Sequence, residues 1–195
     1  MDYTRLLRNS HIFASAVRDV LERKFLKDTS HLPLTLSQFH LLKLMSINGQ
    51  HQVSEVAEFL GVSPAAASKN IDKLEGLGLV VRTPSEGDRR ATLLSVSPKG
   101  RRLVSAYEEL KAERLHPVLD NFKPKEIEEL SRLLERFSVE VFKLEEAEGS
   151  ESGNRYCLRC AAYLESDCPV GGLRGGCPYS KVYDERRKNK TSERA

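Results

Sequence analysis

Three absences bound this chain before any motif is read. The first 156 residues hold no cysteine: all four lie between Cys157 and Cys177. The body therefore folds without disulfides, on a hydrophobic core that 195 residues are enough to bury. No stretch approaches the roughly 18 apolar residues that a membrane span needs. The start, MDYTRLLRNS, has no apolar run of the signal-peptide kind. The expectation is a cytoplasmic protein with no membrane partner. An excess of charge of one sign is also missing: 31 Lys and Arg stand against 28 Asp and Glu, a formal net charge of +3. Any basic surface must be local. Nor is there a nucleophile with an oriented base, a nucleotide-binding glycine loop or a pair of acids in a plausible pocket. The chain is not read as an enzyme.

What is present is helical punctuation. Residues 4–27 carry Leu6, Ile12, Phe13, Ala16, Val17, Val20 and Phe25 at steps of three and four, which predicts a helix. Thr35 and Gln38 form a capping box for a second helix running to about Ser46. Asn48-Gly49 marks a turn. In VSEVAEFLG, Ser54 is the expected N-cap and Gly61 the stop. In VSPAAASKNIDKLEGLG, Ser63 is the N-cap, Pro64 the first helical residue, and Ile71, Leu74 and Leu77 the inner stripe. VVRT and ATLLSV are β-prone runs joined by PSEGDRR, a hairpin with a long tip. A helix then starts after Ser97-Pro98, expected to end near His116-Pro117. Another, starting at Pro124, shows a wide apolar face through Ile127, Leu130, Leu133, Leu134, Phe137, Val141 and Leu144.

Helix, turn, helix and β-hairpin in that order describe a mostly α winged helix-turn-helix with a helical lobe. The second helix of such a pair enters a major groove of duplex DNA by its N-terminal end. Here that end offers Ser63, Ala65, Ala66, Ser68, Lys69, Asp72 and Lys73. Small residues at 65–67 let the helix approach base edges. Ala66 suits a thymine methyl, Ser68 a base or a phosphate, and Lys69 and Lys73 phosphates. Asp72 sits at the edge of the contact or pairs with a lysine. Arg82 on the incoming strand and Arg89 and Arg90 at the tip suit the backbone or a narrow minor groove. The plain alternative is a solvated turn.

The stretch VSPAAASKNIDKLEGLGLVVRTPSEGDRRATLLSVSPKG, residues 62–100, resembles the MarR family of bacterial transcriptional regulators, within a likeness spanning roughly residues 5–145. Asp88, Arg89 and Gly100 stand at positions of the family's wing signature. Ser97-Pro98 departs from a common leucine-threonine step. Lys69 replaces a common arginine, keeping the charge and losing the planar fork. The resemblance implies a homodimer reading a pseudo-palindromic operator, most often as a repressor. Its dimerisation lobe would be residues 1–33 and 99–147, and its DNA-binding domain residues 34–98. It also implies that a small-molecule effector is possible. His11, His31, His40, His51 and Tyr107 are candidates for lining a crevice, but no spacing fixes a site and no pocket is assigned.

Residues 148–180 form a separate module, followed by a charged tail, 181–195. Cys157, Cys160, Cys168 and Cys177 are spaced C-x2-C-x7-C-x8-C. Four thiolates complete a tetrahedral zinc site or hold one [4Fe-4S] cluster, giving one metal centre per chain. Cys168 and Cys177 each precede proline. Gly171, Gly172, Gly175 and Gly176 let backbone N–H groups approach bound sulfur. These features favour iron–sulfur over zinc. Two disulfides, oxidisable free thiols, or simple docking through Leu158, Ala161, Ala162 and Leu164 remain open. The functional expectation is a sequence-specific DNA-binding regulator, with a response to redox state or metal through this module as its further expectation. The alternatives are an iron–sulfur electron-transfer protein and a winged-helix protein-interaction module.

Overall fold

The computed structural model describes residues 3–47, 49–84 and 92–146. Apolar spacing over the first thirty residues builds one helical run: α1 (Tyr3–Ser15), a π-helical segment (Ala16–Lys24) and α2 (Phe25–Thr29). Only its far end is buried, with Glu22, Phe25 and Leu26 inside.

The capping box at Thr35 forms as its spacing predicts. Thr35 Oγ1 accepts from the Gln38 amide at 3.3 Å, and Gln38 Oε1 accepts from the Thr35 amide at 3.1 Å. It opens α3 (Leu36–Met45), which is buried from Gln38 through Met45. The next start differs from expectation. α4 (Val53–Leu60) is capped at Gln52, not Ser54, and Glu55 Oε2 accepts from the Gln52 amide at 2.8 Å. A cap at Ser54 would put Ala57, a core residue, at the position where the box needs an acid or amide. Gly61 ends α4 at φ 62°, in the left-handed region glycine adopts freely.

α5 (Pro64–Gly76) begins as read, with Ser63 Oγ accepting from the Ala66 amide at 3.3 Å. Strands β1 (Val80–Pro84) and β2 (Thr92–Val96) pair antiparallel, Val80 opposite Val96. His51 adds a short third rung, exchanging two 2.8 Å backbone hydrogen bonds with Leu94.

Ser97 caps α6 (Pro98–Leu119) by accepting from the Gly100 amide at 3.0 Å, while its hydroxyl donates to the Gly78 carbonyl at 2.7 Å. A Cβ on Gly100 would collide with the Leu79 carbonyl and come within 2.7 Å of Val96 Cγ1. Glycine is therefore what lets α6 start hard against the wing. α6 passes the expected stop: Pro117 lies inside it. A proline removes one ladder donor. Two residues further on, the exit is held by Asn121 Nδ2, which donates to the Pro117 carbonyl at 2.8 Å. α7 (Pro124–Glu146) completes the described chain.

The core lies among α3, α4, α5, the hairpin and the first half of α6, around Phe39, Leu42, Met45, Val56, Ile71, Leu74, Leu94 and Tyr107. Among the described residues, no helix is long and apolar enough to cross a membrane.

Candidate nucleic-acid interface

α5 presents two faces because its apolar residues recur at three- and four-residue steps. Ala67, Ile71 and Leu74 are fully buried. Ser63, Ala65, Lys69, Asp72 and Lys73 are exposed, and Ala66 and Ser68 are half-buried at the edge of the same face. The structure thus brings the predicted reading residues together on one side of the helix start. Ala67 departs from the expectation that residues 65–67 all approach bases: it is a core residue, small because α5 packs closely there. Arg89 and Arg90, and Asp88 beside them, lie outside the described residues, as do Cys157, Cys160, Cys168 and Cys177.

Two braces hold α5 in place. Asn70, which the sequence reading passed over, donates from Nδ2 to the Ala66 carbonyl at 3.1 Å and accepts from Gln38 Nε2 at 3.3 Å. It ties α5 to the start of α3. Arg82 supplies the other. Its Nη2 meets Asp72 Oδ1 at 2.6 Å and its Nη1 meets Glu75 Oε2 at 2.6 Å. The hydrogen bond to Asp72 holds the guanidinium above its ordinary value. Arg82 was expected to face DNA, and Asp72 to stand at the edge or pair with a lysine. The structure pairs them with each other. The signal was two acids three residues apart on one helix face and an arginine on the following strand, but only the hairpin's register shows that they meet.

Behind this surface, α6 is joined by polar contacts to α3 and to the π-helical segment and α2. Lys43, buried in α3, pairs with Glu108, which also pairs with Lys111. Burial pushes the Lys43 ammonium down. Burial pushes the Glu108 carboxyl up, but hydrogen bonds from Lys111 and Lys43 outweigh it and hold the group below its ordinary value. Tyr107 Oη donates to the Leu21 carbonyl at 2.9 Å, and Arg114 pairs with Asp28 at 2.9 Å. His40 Nε2 lies 3.6 Å from Glu22 Oε1.

The histidines do not gather in a crevice. His40, His51 and Tyr107 are core residues, while His11 and His31 are exposed. Among the described residues a groove of about 840 Å³ runs between α1 with the π-helical segment and α7. It is lined by Leu6, Phe13, Val17, Leu130, Leu133 and Phe137 among others, and by no histidine.

Residues 34–92 match the family model described as the MarR family. The fold is shared with solved structures. RV1404 from Mycobacterium tuberculosis superposes with a TM-score of 0.61 at 25% identity, over 69% of this chain and 91% of that one. Streptococcus pneumoniae FabT, solved in complex with DNA, matches with a TM-score of 0.61 at 20% identity, over 73% of this chain and 99% of that one. Wild-type MarR from E. coli in its apo form matches with a TM-score of 0.51 at 24% identity, over 68% and 96%.

Proposed function

We propose that this chain is a member of the MarR family, a sequence-specific double-stranded DNA-binding transcriptional regulator acting as a repressor, and that a homodimer reads a pseudo-palindromic operator. The observation that carries this reading is the start of α5. Ser63, Ala65, Lys69 and Lys73 face solvent together while Ala67, Ile71 and Leu74 anchor the helix from behind. A cationic, small-residue helix end that projects from a rigid core is what a major groove admits. The structural relative FabT, crystallised with DNA, lends support through the shared fold.

Two copies are needed for a palindrome, and the helical lobe of residues 1–33 and 99–147 is where they would join. α7 exposes Leu130, Leu133, Phe137, Val141 and Leu144, and α1 exposes Tyr3, Leu6, Leu7, Ile12 and Phe13. α1 carries Arg5 and Arg8 and no acid, while α7 is rich in glutamate. An α1 laid on a partner's α7 buries apolar surface and pairs opposite charges.

Cys157, Cys160, Cys168 and Cys177 would hold one metal centre per chain, iron–sulfur in preference to zinc. The ligand set is complete and all-thiolate, and it follows directly on the dimerisation helices. Loss of the centre would free the segment and bias the lobe. Anaerobic purification with iron, zinc and acid-labile sulfide analysis tests the centre. Equal DNA affinity of loaded and metal-free protein at one salt concentration would rule out the switch and leave the regulator standing.

The regulator itself is tested by selecting a duplex from a randomised pool with the native chain. Lys73→Ala should weaken all duplexes almost equally and flatten the salt dependence by about one ion. Changes at Ala66 or Ser68 should alter which duplex is preferred. If neither change affects any duplex, α5 is not the reading surface.

A further inference from the structure

We infer that Arg82 is a positioning residue: it does not touch DNA, but fixes the wing against the reading helix by spanning Asp72 and Glu75. This rests on the regulator reading above and specifies how its two DNA-facing parts are held in register.

The geometry comes from both sides of the contact. Asp72 and Glu75 stand three residues apart on α5, so their carboxylates share one face of the helix. Along β1, successive side chains point to opposite faces. Arg82 therefore shares a face with Val80, which is buried, and not with exposed Val81 and Thr83. Its backbone is held by the hairpin, with Arg82 opposite Leu94, and Leu94 is fully buried and bonded on its other side to His51. A rigid strand thus delivers a planar fork to two acids on a rigid helix. Each terminal nitrogen takes a separate carboxylate at 2.6 Å, a close charge-assisted contact. Lysine has no such fork: its three donors sit on a single nitrogen, so it cannot place a separate nitrogen on each acid.

Two consequences follow for DNA. A phosphate that recruited Arg82 would have to displace two carboxylates already bonded to it, so phosphate contact falls to the other cations. Asp72 and Glu75 also lie on the same helix as Lys69 and Lys73. Unneutralised, they would repel the phosphate backbone that these lysines attract. Arg82 quenches them and sets the wing's approach angle with one side chain.

The test compares native protein, Arg82→Gln and Arg82→Lys by fluorescence anisotropy. The probes are a duplex selected by the native chain from a randomised pool and a shuffled duplex of the same composition, across a salt series. A parallel measurement follows amide hydrogen exchange of residues 80–84 in the free protein. The expected result for Arg82→Gln is a roughly tenfold loss on the selected duplex and about twofold or less on the shuffled one. The slope of log affinity against log salt should not change, because no phosphate contact is lost. Exchange in β1 should quicken, and Arg82→Lys should recover only part of both effects. A slope shallower by about one, with equal losses on the two duplexes, would make Arg82 a phosphate ligand and overturn the proposal. A native chain that prefers no duplex would overturn the regulator reading. The exchange measurement needs no DNA and decides the brace independently: β1 exchange unchanged in Arg82→Gln overturns it.

Discussion

α3 and α7 both carry large apolar side chains along one face or more, and they meet opposite fates. In α3 every residue from Gln38 to Met45 is buried. In α7 Leu130, Leu133 and Val141 remain between 43% and 46% exposed, and Leu144 reaches 70%. The first helix finds its partners within the chain: α4, β2 and α6 close over it. The second faces α1 across a groove that neither helix fills. A continuous apolar face left uncovered in this way is a surface for association. The winged head, residues 34–98 with the first half of α6, thus closes its core within one copy, while under the proposed dimer the helical lobe would close only against a second. The sharpest way to test this contrast is Phe137→Glu, which puts a charge in the middle of the α7 face. The native chain should sediment as a dimer and the variant as a monomer with the head still folded. Affinity for the selected duplex should fall by about a hundredfold or more, because the second half-site is no longer delivered by the first. A native chain that sediments as a monomer would break the comparison outright.

The head should respond in the opposite way. Ile71, on the inner face of α5, is fully buried. Ile71→Ala leaves a cavity in a core that is already closed and should cost about 2–5 kcal/mol. The loss would appear as a lower melting temperature with the dimer mass unchanged until unfolding. If Ile71→Ala instead changed the mass and left the melt alone, the assignment of core and interface would be reversed.

How much of this was legible beforehand depends on the range of the signal. The caps at Thr35, Ser63 and Ser97 were readable because cap and partner stand three residues apart in the sequence. Gln52 was missed for Ser54 because both are polar residues ahead of an apolar run, and only the burial of Ala57 chooses between them. Pro117 was over-read as a stop, since a helix near its solvent-exposed end tolerates one missing donor when Asn121 holds the exit. Ala67 looked like a groove residue because smallness serves close packing and close approach to DNA alike. The Arg82 brace and the Gln38–Asn70 bond were invisible because they join elements whose relative placement no local pattern encodes.

The seam between head and lobe offers an intermediate effect. Lys43 belongs to the head, Glu108 to the helix that leaves it, and Glu108 is half-buried. Glu108→Gln removes the carboxylate facing a buried ammonium and should cost about 1–3 kcal/mol at neutral pH. The pH dependence has a definite sign. Glu108 titrates below its ordinary 4.5 in the folded chain, so its stabilisation is full above that value and is lost as pH falls through the lower, folded one. Melting temperature recorded against pH should show a shallower acid limb in the variant than in the native chain. Parallel limbs would mean that the Lys43–Glu108 pair does not join the two regions in solution.

The smallest effect tests the comparison at its finest scale, the first turn of the reading helix. Ser63 is exposed, so Ser63→Ala removes no packing; what it removes is the acceptor for the Ala66 amide. A lost N-cap of this kind costs about 1 kcal/mol. The core residues Ala67, Ile71 and Leu74 hold the rest of α5, so the damage should stay within the first turn. Hydrogen exchange at Ala66 should quicken while that at Leu74 does not. Affinity should fall more for the selected duplex than for a shuffled one, because on the proposed reading base edges are contacted from that turn while Lys73, well further along α5, is undisturbed. Equal losses on both duplexes would show that Ser63 serves as a phosphate donor in its own right, and the cap would then be a backbone contact rather than a support for the first turn.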